Sequence, residues 1–291
     1  MTVPVLTGDV PRATLDMAVA ENLYALFRAM AGLKGGELEE HPGFSRHHAF
    51  PTNPMYKGVW KCRLEKDAIA VAADETIAWF KERNAPFFFW WTDPATPLDG
   101  LSATLEARGL IDMEGQTRAL AAGIIQKAEG APCMAIRLAD MDPELATGHN
   151  KAFEITQVRD EADLHDFAKV FVETYQIPSW AGQGWIDATL AFGIDRAPCQ
   201  IHVGRLNGEP IATAISFNGA GVASVYGVAV LPKAQGKGFG AAITVKPFLD
   251  AKAEGYEHGV LFSSEKGIPA YEHIGFRKTG GFINRYLWRA S

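Results

Sequence analysis

Gly236, Gly238 and Gly240 alternate at the end of Val228-Ala229-Val230-Leu231-Pro232-Lys233-Ala234-Gln235-Gly236-Lys237-Gly238-Phe239-Gly240, where a strand pattern stops, a proline breaks it and a helix pattern begins. Glycine lets backbone N–H groups approach an anion closely, and a helix N-terminus adds a favourable dipole, so this spacing suits a pyrophosphate. Further along, Ser264 and Gly267 lead to Tyr271-Glu272-His273-Ile274-Gly275-Phe276. Taken alone, Tyr271 reads as a core tyrosine at a helix end. Gly236-x-Gly238-x-x-Ala241 also satisfies a dinucleotide fingerprint in form. Tight hairpins before it imply antiparallel strands, Pro232 to Gln235 separates strand from glycines, and Glu265 comes too late to hold a ribose. No Gly-Lys-Ser/Thr occurs, so a Walker loop is excluded as well. A nucleotide-cofactor oxidoreductase is therefore the weaker reading.

These residues need elements to hold them. Phe153–Val158 reads as a strand, followed by a helix from Asp160 or Ala162 with Leu164, Phe167, Phe171 and Tyr175 on one face. An aromatic loop (Pro178-Ser179-Trp180, Trp185) and a shorter helix to Phe192 come next. Gln200–Leu206 and Ile211–Phe217 form a hairpin through Asn207-Gly208, and Val222–Leu231 is the strand that delivers the glycines. A helix runs to Glu254 with Pro247 inside it, where a kink is expected. His258–Phe262, a helix around Ala270 and strands near Phe276 and Asn284–Trp288 complete this half.

Gln235-x-x-Gly238-x-Gly240 with its Val-x-Leu-Pro lead-in resembles the acyl-CoA motif of the GNAT acetyltransferases. Ser264-x-x-Gly267-x-x-x-Tyr271-Glu272-His273-Ile274-Gly275-Phe276 resembles the second motif of that family. The resemblance covers Phe153 to Trp288. It implies acetyl-CoA as cosubstrate and direct transfer of acetyl to an amine, with CoA as product. Backbone groups of Val228 and Val230 would pair with the pantetheine arm. Amides of Gly236, Lys237, Gly238, Gly240 and Ala241 would hold the pyrophosphate, beside Gln235 and Ser264. Tyr271 would protonate or hydrogen-bond the departing thiolate. Glu173, Trp180 and Trp185 fall where the family shapes its acceptor pocket. The general base is open, since Val222–Leu231 offers only Ser224 and Tyr226, and Glu173 and Glu265 are the remaining nearby carboxylates. The alternative from another class is a non-catalytic acyl-CoA-binding regulatory or interaction protein.

The first half reads as a worn copy of the second. A helix spans Leu15 to Met30, Lys34–Asn53 is irregular, and Val59–Leu64 is a strand. Asp74–Arg83 is helical with Asp74 near its cap, Pro86–Trp91 is a buried strand, and Leu98–Arg108 is a helix stopping at Gly109. Strand-like material continues through Ile125, and Met134–Leu138 is a last strand. Anchoring Gly109 on Gly275 sets Leu105 against Tyr271, and leucine cannot protonate a thiolate. Trp90-Trp91-Thr92-Asp93-Pro94 and Ala107-Arg108-Gly109-Leu110 also resemble the N-terminal part of tandem GNAT proteins. The expected fold is mixed α/β with a mostly antiparallel sheet, in two GNAT-like domains: 1–148 without a cofactor loop and 149–291 with it.

Composition sets the remaining bounds. The 291 residues are 47% hydrophobic and 21% charged, with net charge −6, which disfavours nucleic acid. Three scattered cysteines suit a reducing cytoplasm and no disulfide framework. The uncharged stretch Pro210–Pro232 is long enough for a membrane span, yet Asn218-Gly219-Ala220-Gly221 in its middle makes it two buried strands. The partner expected is a small-molecule or peptide amine, for a cytoplasmic monomer or homodimer. His41, His47 and His48 read as a solvated loop rather than a metal site, and Cys199 and His202 as core residues.

Overall fold

The computed structural model describes residues 3–50, 52–113 and 130–290. In the first half the elements are α1 (Arg12–Ala31), β1 (Glu37–Glu40), β2 (Ser45–His48), β3 (Lys57–Trp60), α2 (Lys66–Glu82), β4 (Phe87–Thr92), α3 (Leu101–Glu106) and β5 (Ile111–Asp112). Next come β6 (Ala131–Arg137), β7 (Phe153–Gln157), α4 (Glu161–Tyr175), α5 (Ser179–Phe192), β8 (Gln200–Leu206), β9 (Glu209–Gly219) and β10 (Val222–Val230). The chain ends with α6 (Phe239–Ala253), β11 (His258–Phe262), α7 (Ile268–Ile274) and β12 (Arg277–Arg289).

Local chemistry accounts for the second half. The Asp160 side chain accepts from the Asp163 amide at 2.9 Å and starts α4, a cap worth about 1 kcal/mol. Asn207 (φ 50°) and Gly208 (φ 83°) make the β8–β9 hairpin, and Ala220 (φ 52°) and Gly221 (φ 79°) make the β9–β10 hairpin. The uncharged stretch is thus two paired strands, as expected, and no helix among the described residues is long and apolar enough to cross a membrane. Helix α6 continues through Pro247. Helix α5 begins at Ser179, so Trp180 and Trp185 are helical rather than in a loop.

Among the described residues, one sheet of twelve strands runs β1-β2-β3-β4-β12-β6-β11-β10-β9-β8-β7, with β5 also on β12. Strand β12 joins the halves. Its first part pairs β6 through Arg277–Ile283, and its second pairs β4 through Asn284–Arg289 and β5 through Tyr286 and Leu287. The register shifts between Lys278 and Phe282, where Gly280 has φ 124°. Asp16 of α1 fixes this bend by accepting from the Thr279 hydroxyl and from the Gly281 amide at 2.9 Å.

The two halves repeat one topology. Strand β3 is parallel to β4 as β10 is to β11, each through two residue pairs. In each half an inserted antiparallel strand then separates that pair from the last strand: β12 lies between β4 and β5, and β6 between β11 and β12. The Leu110 amide donates to Leu105 O (3.1 Å) after Gly109 (φ 80°), and the Phe276 amide donates to Tyr271 O (3.0 Å) after Gly275 (φ 113°). Leu105 and Tyr271 are therefore structural counterparts.

Several sequence expectations change. Residues 37–48, expected to be irregular, form the β1–β2 hairpin, whose Glu37-Leu38-Glu39-Glu40 edge is too polar to read as a strand. His47 belongs to β2 rather than a solvated loop. It is fully buried, stacks on Phe27 at 4.9 Å, accepts from Trp60 Nε1 (3.1 Å) and donates to Met55 O (3.0 Å). Helix α2 starts eight residues before Asp74, because Ala68-Ile69-Ala70-Val71-Ala72-Ala73 sustains the helix, and Asp74 instead pairs with Arg108 at 2.7 Å. Strand β6, expected to close the first half, belongs to the second-half sheet between β11 and β12. The expected strand continuing to Ile125 is seen at Ile111–Asp112, and its remainder from 114 lies outside the described residues.

Helix α1 is buried on several sides, in keeping with its weak amphipathic pattern. Asn22 Nδ2 donates to Gly219 O (2.8 Å) and Val222 O (3.2 Å) of the second half, while Tyr24 stacks on Trp60 of the first at 5.0 Å. Helix α5 also reaches across the halves: Asn53 Nδ2 donates to Ala181 O at 3.0 Å, and Trp180 stacks on Phe87 at 5.2 Å.

Candidate functional site

Parallel β10 and β11 pair only at Ala223 with Gly259 and Ser224 with Val260, so they separate beyond those residues. Strand β10 also bulges between Tyr226 and Ala229, with Gly227 at φ 57°. The Leu231 amide donates to Ile211 O of β9 at 2.9 Å, so alternation turns the backbone groups of Val230 and Val228 toward the gap. Two side chains meet those carbonyls: Tyr175 Oη donates to Val228 O at 2.8 Å, and Gln235 Nε2 donates to Val230 O at 2.9 Å.

At the wide end the chain turns through Pro232–Ala234 into Gln235 (φ −65°), Gly236 (φ 75°) and Gly238 (φ 85°), the residue before α6. Positive φ at both glycines excludes side-chain-bearing residues at low cost and lets successive amides converge as an anion nest. No side chain caps α6, so its first amides, including those of Gly240 and Ala241, are directed outward from the helix start. A Cβ on Gly236 would meet nothing within 4 Å, which marks an open cradle. Lys237 is exposed, its Nζ donating to Lys233 O at 3.1 Å.

Tyr271 stands on α7 at the β11 side, edge-on to Phe276 with ring centroids 6.0 Å apart. Burial, with Tyr175 nearby, raises its pKa above that of an ordinary phenol. Its hydroxyl makes no hydrogen bond among the described residues. Ser264 is exposed after β11, and its carbonyl accepts from Ser263 Oγ at 2.8 Å and the Gly267 amide at 2.9 Å. Tyr175 is 46% exposed as a residue, but enclosure of its hydroxyl end pushes the phenol up to about 12, and the charge of Arg285 opposes that rise.

The remaining sequence-selected residues divide. Glu173 is exposed on α4. Trp180 is exposed on one side and stacked on Phe87 on the other. Trp185 is a packing residue, 3% exposed between Tyr56 (5.6 Å) and Phe167 (6.5 Å). His202, bonded to Ser216 Oγ at 2.9 Å, and Cys199 are buried as expected, with burial lowering the histidine to about 4 and raising the thiol to about 12. No group of three or more metal-ligating side chains occurs among the described residues. Sequence reasoning passed over Tyr175 and Arg285. Tyr175 carried a signal as an aromatic at the end of a helix leading to the cleft, whereas Arg285 reaches this region only through the path of β12.

The matching end of β4 in the first half holds a partly buried ion pair. Tyr24 Oη and Arg63 Nη1 (2.8 Å) both donate to Asp93, whose side chain is fully buried at the end of β4. Strand β3 passes to α2 through Lys61–Glu65 with no glycine turn. Leu105 takes the place of Tyr271, so among the described residues this half has no glycine turn after β3 and no phenol at the position of Tyr271.

Residues 164–276 match the acetyltransferase (GNAT) family. No curated protein matches the chain. Among solved structures, a GCN5-related N-acetyltransferase from Kribbella flavida superposes with TM-score 0.65 at 15% identity, covering 94% of this chain and 96% of that one. A GCN5-related N-acetyltransferase from Sphaerobacter thermophilus gives TM-score 0.59 at 13% identity, over 99% of this chain and 95% of its own. A tandem GNAT protein from the clavulanic acid biosynthesis pathway gives 0.52 at 11% identity, over 99% and 97%. At such identities the likeness is one of fold, and it extends over both halves. The match to a GNAT domain thus lies at residues 164–276 of the second half, and the likeness of fold to GCN5-related N-acetyltransferases extends over both halves.

Proposed function

We propose that the protein transfers acetyl from acetyl-CoA directly to an amine, in a ternary complex held by the second half. The observation that carries this reading is the opening between β10 and β11 with the glycine turn before α6 at one end and Tyr271 at the other. The diphosphate of the cosubstrate fits the amides of Gly236 to Ala241. Its pantetheine arm would lie along β10 as an added strand, displacing the Tyr175 and Gln235 contacts or sharing the carbonyls of Val228 and Val230, each of which has two lone pairs.

The amine nitrogen attacks the thioester carbonyl carbon, forming C–N and breaking C–S. The ammonium proton leaves to water or a base, and the thiolate takes up a proton. Backbone amides at the β10 bulge would stabilise the oxyanion as charge develops there. No carboxylate is assigned as base: Glu173 and Glu265 are both exposed, and an amine that arrives neutral needs no deprotonation before it attacks.

Thermal-shift titration with acetyl-CoA, CoA and NADPH tests the cosubstrate. At 100 times Kd the stabilisation is ~2.7 kcal/mol. A shift with acetyl-CoA and CoA supports the reading, and no shift with either refutes it. A shift with NADPH alone would revive dinucleotide binding. Turnover, measured as release of free thiol with a panel of amines, separates an enzyme from an acyl-CoA-binding regulator.

A further inference from the structure

Beyond Ser224 and Val260 the facing edges of β10 and β11 have no strand opposite, because β11 goes on pairing with β6 on its other side through Leu261 and Phe262. A backbone carbonyl on such an edge draws a donor. At Val228 that donor is Tyr175, whose Oη lies 2.8 Å from the carbonyl oxygen. Hydrogen bonds to a carbonyl are received near the peptide plane, which in a strand runs along the sheet. The hydroxyl therefore lies in the layer of the gap, on the line that an added strand would follow. The rest of the side chain is placed to leave. Tyr175 is the last residue of α4, it is followed by Gln176 at φ 52°, and it is exposed. Its ring leans on Phe171 at 5.0 Å, and Phe171 stands against the bulge, 3.1 Å from where a Cβ on Gly227 would lie. An exposed aromatic side chain changes rotamer rapidly, so the phenol can swing away while Phe171 stays as its floor.

We propose that Tyr175 is a gate on the cosubstrate track: its hydroxyl and the pantetheine arm compete for Val228 O, and acetyl-CoA binds as the phenol swings off that carbonyl. This rests on the acetyltransferase reading above. Displacement is favoured over sharing by space. A chain added along β10 runs about 4.8 Å from it and fills the layer in which the phenol lies, so the two do not fit side by side. Apparent affinity falls by the fraction of molecules whose gate is open. A hydrogen bond of ordinary net strength keeps about two-thirds to nine-tenths of molecules closed, so the arm binds about three- to tenfold more weakly than it would without the phenol.

The test is calorimetric titration of the full chain with CoA and with 3′-phospho-ADP, which carries the nucleotide and the diphosphate without the pantetheine arm. Tyr175→Phe removes the hydroxyl and keeps the ring on Phe171. Its Kd for CoA should fall about three- to tenfold below that of wild type, while 3′-phospho-ADP should bind the two proteins within about 1.5-fold of each other. Tyr175→Leu also lacks the donor and gives the same comparison where the phenylalanine variant fails to fold. Unchanged or weaker CoA binding by a folded variant overturns the gate and leaves the acetyltransferase reading standing. Equal tightening of CoA and 3′-phospho-ADP overturns the gate too, because the effect would then not lie on the arm. Absence of CoA binding by wild type overturns the acetyltransferase reading and this inference with it.

Discussion

Replacing Tyr271 by Phe removes one hydroxyl and keeps the ring edge against Phe276. The size of the effect follows from the environment of the phenol. A free thiol has a pKa of about 8.5 and a free phenol about 10, so proton transfer from phenol to thiolate is uphill by about 2 kcal/mol even before burial acts. Burial raises Tyr271 further and makes full transfer costlier. The same rise keeps the hydroxyl protonated across the neutral range, so it remains a hydrogen-bond donor to a developing thiolate. Such a charge-assisted bond contributes about 1.5–3 kcal/mol, or roughly a 10- to 150-fold loss of kcat in Tyr271→Phe. The assay is thiol release at saturating acetyl-CoA with an acceptor found in the amine panel, beside CoA affinity by thermal shift. Affinity should stay within about twofold, and the alkaline side of the wild-type profile should show no loss from this phenol below pH 10, because its neutral form is the active one. A kcat within threefold of wild type would sink the hydrogen-bond role. A loss beyond ten-thousandfold would show instead that the phenol transfers its proton.

Three other perturbations probe the frame around the site. Gly238→Ala places a Cβ at φ 85°, which costs about 1–2 kcal/mol in backbone strain; CoA affinity should fall at least tenfold in thermal-shift titration, and unchanged affinity would remove the turn from the phosphate site. Asp16→Ala leaves the Gly281 amide without its acceptor and the Thr279 hydroxyl with Cys133 O alone (3.2 Å), so urea unfolding should show a loss of about 1–3 kcal/mol, and a loss under about 0.5 kcal/mol would deny the bend its anchor. Burial lowers His47 and His202 from 6.5 to about 4, so between those values the unfolded chain binds protons that the folded chain does not. Stability should therefore fall as pH drops through that window, by roughly 3 kcal/mol per histidine at pH 4, and denaturation of His202→Gln should show a shallower slope. An unaltered slope would mean that His202 titrates alike in both states.

Elements with local causes are legible in the residues alone. Asp160 capped α4, Asn207-Gly208 turned the β8–β9 hairpin, and the alternate glycines opened α6. Each depends on backbone preferences within a few residues, which composition and spacing display directly. The relation of Leu105 to Tyr271 was legible for the same reason, since a positive-φ glycine ends both helices at the same offset. Asp74 has the chemistry of a cap, so local pattern alone starts α2 there, although an alanine-rich run continues the helix back to Lys66 without one.

Which strands become neighbours is settled by long-range packing. Ala131-Pro132-Cys133-Met134-Ala135-Ile136-Arg137 is a short apolar run with no periodicity to name a partner, and it pairs with β11 and β12 from more than a hundred residues away in sequence. Strand β12 serves both halves, and its pairing with β4 brings Arg285 over Phe89 and Trp91. Asn22, Asp16 and Trp185 likewise acquire their roles from elements far along the chain. Side-chain pattern fixes which face of a strand or helix is buried. The partner of that face is chosen by shape, hydrogen bonding and chain connection summed over the whole molecule.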